Sequence, residues 1–151
     1  MQLTPNFSLE ELVRSSTAIR LGIDNTPSDE IIAELRRLCV TLLEPARSLL
    51  CVPMHTDSGY RCLALNAAVG GAPDSAHVWG GAADWIPVGM SLQLAFGLIK
   101  ASTIPFDQLI IEASDSGAKW IHIALPVPNT LPRRECLAAT GGPVNWTYVP
   151  A

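Results

Sequence analysis

Two histidines and one aspartate are the residues of this 151-residue sequence whose types and spacing could do chemistry together. His77 precedes the Gly80-Gly81 turn, and Asp84 follows His77 by seven residues, inside a predicted strand of otherwise apolar neighbours. Because a carboxylate is costly to bury unless it is paired or binds a metal, Asp84 needs a partner. His122 lies in a second predicted strand, where alternation places it on the same face as Trp120.

A zinc site and an ordinary protein core are both compatible with these residues. Two imidazoles and one carboxylate are a sufficient set of protein ligands for a catalytic Zn²⁺, and they leave a fourth position open for water. In the alternative interpretation the histidines are core residues with hydrogen-bond partners. Spacing alone leaves both alternatives open.

Helices are predicted before these strands. Ser8-Leu9-Glu10-Glu11 has the pattern of a capping box and predicts a helix to about Ser15. A longer helix is predicted to begin at Thr26-Pro27-Ser28-Asp29, with Thr26 as the cap and acidic residues in the first turn. Its apolar residues follow helical spacing until Pro45, which should kink or interrupt the helix before residues 46–50.

Short strands are predicted after position 53. They cover residues 54–58, 82–86, 108–112 and 120–125. A small helix is predicted within 60–69, and a longer one is predicted to be capped by Ser91 and to run to about Ser102. The last two strands pair as an antiparallel hairpin through residues 113–119. Residues 126–151 contain Pro and Gly and are predicted to be irregular. The sum is an α+β fold in which N-terminal helices pack on a small antiparallel sheet.

Composition excludes several classes of function. With 48% hydrophobic and 16% charged residues, residues 1–151 are predicted to form one domain. A net charge of −4 without clustered cations argues against a nucleic-acid partner. We expect no membrane insertion and synthesis in the cytoplasm, because long apolar stretches and a signal-peptide pattern are absent. The four cysteines lack metal-finger spacing and are expected to be ordinary thiols, and the oligomeric state stays open.

Three segments of the sequence resemble a known family. Ser58-Gly59-Tyr60-Arg61, the segment SAHVWGGAAD at 75–84 and Trp120-Ile121-His122 match S-G-[YF]-R, S-x-H-x-x-G-x-A-x-D and W-x-H. This pattern is that of the zinc D-alanyl-D-alanine carboxypeptidases, and the openings Ser-Leu-Glu-Glu and Arg-Leu-Gly-Ile-Asp-Asn-Thr-Pro resemble its phage and prophage subgroup. The resemblance covers about residues 7–125. It implies the fold shared with the hedgehog signalling domain and a Zn²⁺ cofactor held by His77, Asp84 and His122.

The resemblance also implies roles near the metal. Arg61 would face the substrate, where a guanidinium can polarise a carbonyl or stabilise an oxyanion. Ser75, like Asp74, could hold the His77 loop. Trp120 shares the face of His122 and is a candidate contact for the substrate or for the ligands.

The general base departs from the usual pattern. Many family members carry Glu three residues before the last zinc histidine, and this chain has Lys119 there. Glu112 is the predicted replacement: if it pairs with Trp120, Ile110 lies opposite His122 and Glu112 shares the face of that histidine. Gln108 lies on this face too and could contact substrate or support the ligands. A structural role for Glu112 at the end of a strand is the alternative.

Two functions follow from the resemblance. The first is a zinc peptidase that cuts peptidoglycan stem peptides, as a D,D-carboxypeptidase or an endopeptidase, and that acts at the bacterial cell wall after release or within a phage particle. The second is a phage structural or wall-binding module that kept the fold without catalysis, an alternative that Lys119 keeps open.

Overall fold

A computed structural model describes residues 1–142 and 145–151. The fold is α+β, as predicted, with a two-stranded sheet at the N-terminus and a six-stranded sheet in the order β3-β4-β6-β5-β7-β8. The strands are β1 (Gln2–Thr4), β2 (Phe7–Ser8), β3 (Met54–Ser58), β4 (Ala82–Pro87), β5 (Gln108–Ser114), β6 (Lys119–Ala124), β7 (Glu135–Gly141) and β8 (Thr147–Pro150). The helices are α1 (Leu9–Val13), α2 (Ser16–Leu21), α3 (Asp29–Leu38), α4 (Glu44–Leu50), α5 (Leu63–Ala68) and α6 (Leu92–Ala101).

The predicted caps are confirmed in two helices and wrong in a third. Ser8 forms the capping box with Glu11 at the start of α1, and Ser91 caps α6. In α3 the cap is Ser28, whose hydroxyl accepts from the Ile31 N–H, and not Thr26. The Thr26 N–H instead donates to the Asp24 carboxylate at 2.9 Å, which closes a turn before the helix begins.

The predicted interruption at Pro45 is confirmed and takes the form of a π-helical turn. This turn covers Cys39–Leu43 and links α3 to α4, with the Glu44 N–H bonded to the Cys39 carbonyl five residues back. Pro45 lies in the first turn of α4, where its missing N–H is not needed.

Side chains of successive strand residues point to opposite faces of the sheet, so one face packs in the core and the other is open. Trp85, Ile121 and Ile111 are cross-strand neighbours on β4, β6 and β5, and the first two are fully buried against the helices. The adjacent row, which contains Asp84, His122 and Ile110, therefore points to the opposite face. One face thus builds the core with α3, α4 and α6, and the other is left for the polar residues.

The hairpin prediction is confirmed in its register. Strands β5 and β6 pair antiparallel with Glu112 opposite Trp120 and Ile110 opposite His122. Lys119 is exposed and pairs with Ala113, so strand alternation places it on the face away from His122.

The prediction of irregular structure for 126–151 is wrong for two segments. Strand β7 pairs in parallel with β5, and β8 pairs antiparallel with β7, so the sheet is mixed and larger than predicted. Positions 143 and 144 of this region lie outside the described residues. The residues of β7 have weak local strand preference, and pairing with the otherwise open edge of β5 supplies the stabilisation.

In the part of the chain that the structure describes, no helix combines the length and the apolar character needed to cross a membrane. All four cysteines are free thiols, and Cys39 is buried in the core.

Candidate metal centre

Tight backbone packing positions His77. It lies in a 3₁₀ helix, Ala76–Trp79, that ends at Gly80 with φ of 77°. Its Nδ1 lies 2.6 Å from the carbonyl oxygen of Gly59, which can only accept, so Nδ1 carries the proton. A side chain on Gly59 would come within 2.4 Å of the Leu12 carbonyl oxygen, so only glycine fits here. The His77 ring is thereby held with Nε2 directed away from Gly59.

Asp84 and His122 are brought together by the sheet. They are direct cross-strand partners on β4 and β6, and the Asp84 Oδ1 lies 2.8 Å from the His122 Nδ1. The His77 Nε2 lies 3.2 Å from each of these two atoms. The three side chains are buried, and their ligand atoms all lie within 4.8 Å of one another.

The chemistry of this donor set fits a divalent cation. Burial lowers the pKa of His77, so its ring is neutral and Nε2 presents a lone pair to the other two donors. Burial alone would raise the pKa of Asp84, but the two imidazoles hold it well below its usual range, so Asp84 is ionised. Burial would also lower the pKa of His122, yet the charges of Asp84 and Glu112 raise it. Surroundings that favour positive charge on His122 also favour a bound metal ion.

Arg61 lies beside this centre. It follows β3 in a loop where its backbone N–H donates to the His77 carbonyl at 3.2 Å, and its guanidinium Nη2 lies 3.9 Å from the Asp84 Oδ2. Its Nε is buried with no hydrogen-bond partner among the described residues. The guanidinium is thus close to the donor set and keeps hydrogen-bonding capacity free.

Asn25 fixes the Arg61 loop, a role that the sequence analysis missed. Its side-chain amide donates to the carbonyls of Val13 and Tyr60 at 2.9 and 3.1 Å, and its carbonyl accepts from the Cys62 N–H at 2.8 Å. Asn25 belongs to the Asp-Asn-Thr-Pro segment that resembles the phage and prophage subgroup. This resemblance was the one feature of the sequence that could have pointed to Asn25.

Glu112 lies on the open face with His122, as predicted. Burial raises its pKa to about 7, against the opposing effects of His122 and Arg61. The Trp120 indole also lies close to Glu112 and lowers the pKa of its carboxyl group. The Trp120 Nε1 nevertheless makes no hydrogen bond of normal geometry to any described residue. A carboxyl group with a pKa near neutrality beside a metal-binding donor set has the properties of a proton acceptor.

A cleft of about 1160 Å³ opens over the donor set. All eight residues singled out from the sequence line it: Arg61, Ser75, His77, Asp84, Gln108, Glu112, Trp120 and His122. The Ser75 N–H closes a turn with the Ala72 carbonyl at 3.0 Å. The Gln108 amide donates to the Glu135 carboxylate at 2.7 Å, a contact with β7 that the sequence analysis did not foresee.

Residues from the C-terminal segment complete the cleft and were also missed. Trp146 packs edge-on against Trp120 with ring centroids 5.9 Å apart, and Tyr148 lies on β8. Because the segment was predicted to be irregular, no local signal placed these aromatic side chains near the centre.

An α+β fold that buries two histidines and one aspartate at the floor of an open cleft is typical of hydrolases with a single metal ion. A family model described as Peptidase M15 matches residues 5–124, and the chain belongs to this family. M15 peptidases are metal-dependent, typically zinc enzymes, so membership indicates a metallopeptidase with a centre of the kind described above. No curated protein matches the chain.

Proposed function

We propose that this protein is a zinc peptidase that hydrolyses peptide bonds in peptidoglycan stem peptides, with His77, Asp84 and His122 as the zinc ligands. The observation that carries the proposal is the convergence of these three donors at the floor of an open cleft in an M15 chain. The motif resemblance to D-alanyl-D-alanine carboxypeptidases supports the substrate class. Both a D,D-carboxypeptidase and an endopeptidase are consistent with a cleft of this size.

The residues around the donor set have separate tasks in this proposal. Bound zinc would act as a Lewis acid toward the scissile carbonyl and lower the pKa of water. Glu112 accepts a proton from the attacking water and delivers it to the leaving amine, for which a pKa near neutrality is suited. Arg61 stabilises the negative charge that develops on the carbonyl oxygen, because its guanidinium is held beside Asp84.

The biological setting that we propose is phage lysis. The N-terminal openings resemble the phage and prophage subgroup, which supports action at the wall after release or as part of a phage particle. The protein would therefore meet its substrate at the bacterial cell wall.

Mass analysis of muropeptides tests the proposal. Purified protein is incubated with muropeptides with and without a chelator, and we expect chelator-sensitive loss of a terminal residue or cleavage of a cross-link. His77→Ala and Asp84→Ala should abolish both zinc binding and cleavage. His55→Ala is the matched control, since His55 is an exposed residue whose ring contacts Asp57 and not the centre.

Two results would overturn the proposal. One is protein that binds no zinc, and the other is cleavage that persists in the His77→Ala and Asp84→Ala variants. Binding to muropeptides without any cleavage would instead support a wall-binding module that retained the fold.

A further inference from the structure

The cleft continues beyond Glu112 to an end formed by aromatic side chains, which we call the aromatic wall: Trp120, Trp146 and Tyr148. Trp120 and Trp146 meet edge to face at 81°. Tyr148 lies opposite Ala139 on β7, and Ala139 lies opposite Glu112 on β5, so one cross-strand row leads from Trp120 to Tyr148 on the open face. Tyr148 lines the cleft and is half exposed, so its ring is open to a ligand.

Asp115 lies at the same end of the cleft. Its N–H donates to the Gly141 carbonyl at 2.8 Å, and its Oδ2 lies 3.0 Å from the position that a Cβ on Gly142 would take. The same glycine pair adjoins Trp146, because a Cβ on Gly141 would lie 3.1 Å from the Trp146 Cα. The Asp115 carboxylate and the Trp146 backbone therefore both lie against the Gly141-Gly142 segment, and both residues line the cleft.

Asp115, like Asp74 and Glu112, has no ion-pair partner among the described residues, whereas the other three acidic residues of the cleft are engaged. Asp107 is bound by Arg133, and Glu135 lies near the same guanidinium, at 3.6 Å. Asp84 belongs to the donor set. Asp115 is exposed, and in the described ranges 1–142 and 145–151 no cation lies within ion-pair distance of it.

The charge of the whole cleft favours a cationic ligand. Its lining includes six carboxylates, from Asp74, Asp84, Asp107, Glu112, Asp115 and Glu135, and two guanidinium groups, from Arg61 and Arg133, so negative charge is in excess even with a divalent ion bound. A cleft dominated by one sign of charge concentrates ligands of the opposite sign. Aromatic faces attract ammonium groups, and a neighbouring carboxylate adds a direct partner.

We propose that the aromatic wall and Asp115 form a subsite for a primary ammonium group of the peptide substrate, such as the side chain of a lysine or another diamino acid. As a substrate subsite it rests on the proposed peptidase function. Asp115 and Trp120 lie within the residues 5–124 that match the family model, whereas Trp146 and Tyr148 lie outside them, so the C-terminal segment adds half of this subsite.

Two peptides that differ in one charge test the subsite. Both end in L-Lys-D-Ala-D-Ala, and the lysine ε-ammonium is free in one and acetylated in the other. Calorimetric titration of zinc-loaded wild-type protein should show the free ammonium peptide binding about 10-fold more tightly, the size expected of a partly desolvated cation near aromatic faces and a carboxylate. Asp115→Asn and Trp146→Ala should each remove most of that preference without weakening binding of the acetylated peptide.

Asp29→Asn is the matched control, because Asp29 is an exposed carboxylate at the start of α3 that does not line the cleft. It changes the net charge by the same amount and should preserve the preference. If Trp146→Ala does not fold, the comparison of Asp115→Asn with Asp29→Asn still decides, since both amides are isosteric with the carboxyl groups they replace.

The subsite is overturned if the wild-type protein binds both peptides equally or if Asp29→Asn reduces the preference as much as Asp115→Asn. These outcomes are separate from the fate of the peptidase, because binding requires no turnover. If the protein binds both peptides with equal affinity and cleaves them, only the proposed subsite is contradicted. If it binds the ammonium peptide more tightly and never cleaves it, only the proposed peptidase activity is contradicted.

Discussion

Glu112 is the residue at which the chemistry of the site can be tested most directly. Glu112→Gln keeps the size of the side chain but removes its ability to accept a proton. We expect kcat for stem-peptide cleavage to fall about 10²–10⁴-fold, the usual contribution of a general base, while the zinc content of the purified protein stays the same. Steady-state kinetics and metal analysis of the same preparation measure both quantities.

Lys119→Gln is the control for this substitution. Lys119 is exposed and lies on the face of β6 away from His122, so its replacement should leave kcat unchanged. Loss of activity in Lys119→Gln together with normal activity in Glu112→Gln would show that the base has been assigned to the wrong residue.

At the scale of the elements, the loop after β3 holds His77 in place through Gly59. Gly59→Ala brings a Cβ within 2.4 Å of the Leu12 carbonyl oxygen, so the backbone must shift. We expect a loss of about 1–3 kcal/mol in the free energy of unfolding, as for overpacked sites, and zinc affinity weakened about 10-fold because the Gly59 carbonyl orients His77. Urea denaturation and zinc competition titration measure the two effects.

Gly97→Ala is the matched control within a helix. Gly97 lies inside α6, and a Cβ there would meet no atom within 4 Å. The substitution should stabilise the protein by about 0.5–1 kcal/mol through helix propensity and leave zinc affinity unaltered. Equal effects of the two substitutions on zinc binding would contradict the role of the Gly59 loop.

An ion pair with a defined pH dependence, between Asp107 and Arg133, joins the segments that lead into β5 and β7. Asp107 accepts from the Arg133 backbone N–H at 3.0 Å and from its guanidinium at 2.6 and 2.9 Å. Burial opposes ionisation, but these contacts hold the pKa of Asp107 below the usual value of 3.8. Because the folded-state pKa is the lower one, the stabilisation is complete above the unfolded-state pKa and is lost as the pH falls through the folded-state pKa.

Asp107→Asn should therefore destabilise the protein by about 1 kcal/mol at pH 7, a modest value because the guanidinium is partly exposed. The difference from wild type should shrink at pH values below about 4. Urea denaturation of both proteins at pH 7 and pH 3.5 gives the comparison. A difference that stays constant or grows on acidification would rule out an ionised Asp107 as its source.

At the scale of the whole molecule, bound zinc should stabilise the fold by joining the 3₁₀ helix to the sheet. His77 comes from a 3₁₀ helix, whereas Asp84 and His122 come from two strands of the sheet, so an ion that binds all three stabilises the folded state alone. At a free concentration 100 times the dissociation constant, the added stability is about 2.7 kcal/mol. Thermal unfolding should shift upward with zinc and return to the starting value with a chelator.

Asp84→Ala should abolish this response to zinc, and Mg²⁺ should not reproduce it, because that ion prefers oxygen ligands in octahedral geometry. A zinc-induced shift of equal size in Asp84→Ala would place the ion elsewhere in the molecule.

The sequence by itself determined the features of the fold that depend on residues close together in the chain. Capping residues marked the starts of α1 and α6, and Pro45 marked the break in regular helix between α3 and α4. Alternation in two short strands was enough to predict that Glu112 pairs with Trp120 and that Ile110 pairs with His122. Alternation has a period of two residues, so once a register is set every side chain is assigned to a face. The three donors were predicted from their types and from family motifs, and the structure brings them within 4.8 Å of one another.

Only the tertiary structure decided how the rest of the cleft is built. Strand β7 has few strand-forming residues and gains its order from pairing with β5, an interaction between segments far apart in sequence. For the same reason, neighbouring residues did not predict where Trp146 and Tyr148 lie. Nor did they predict the hydrogen bonds by which Asn25 holds the Arg61 loop. The free energy that orders these segments comes from contacts that exist only after the chain has folded, so no local pattern encodes it.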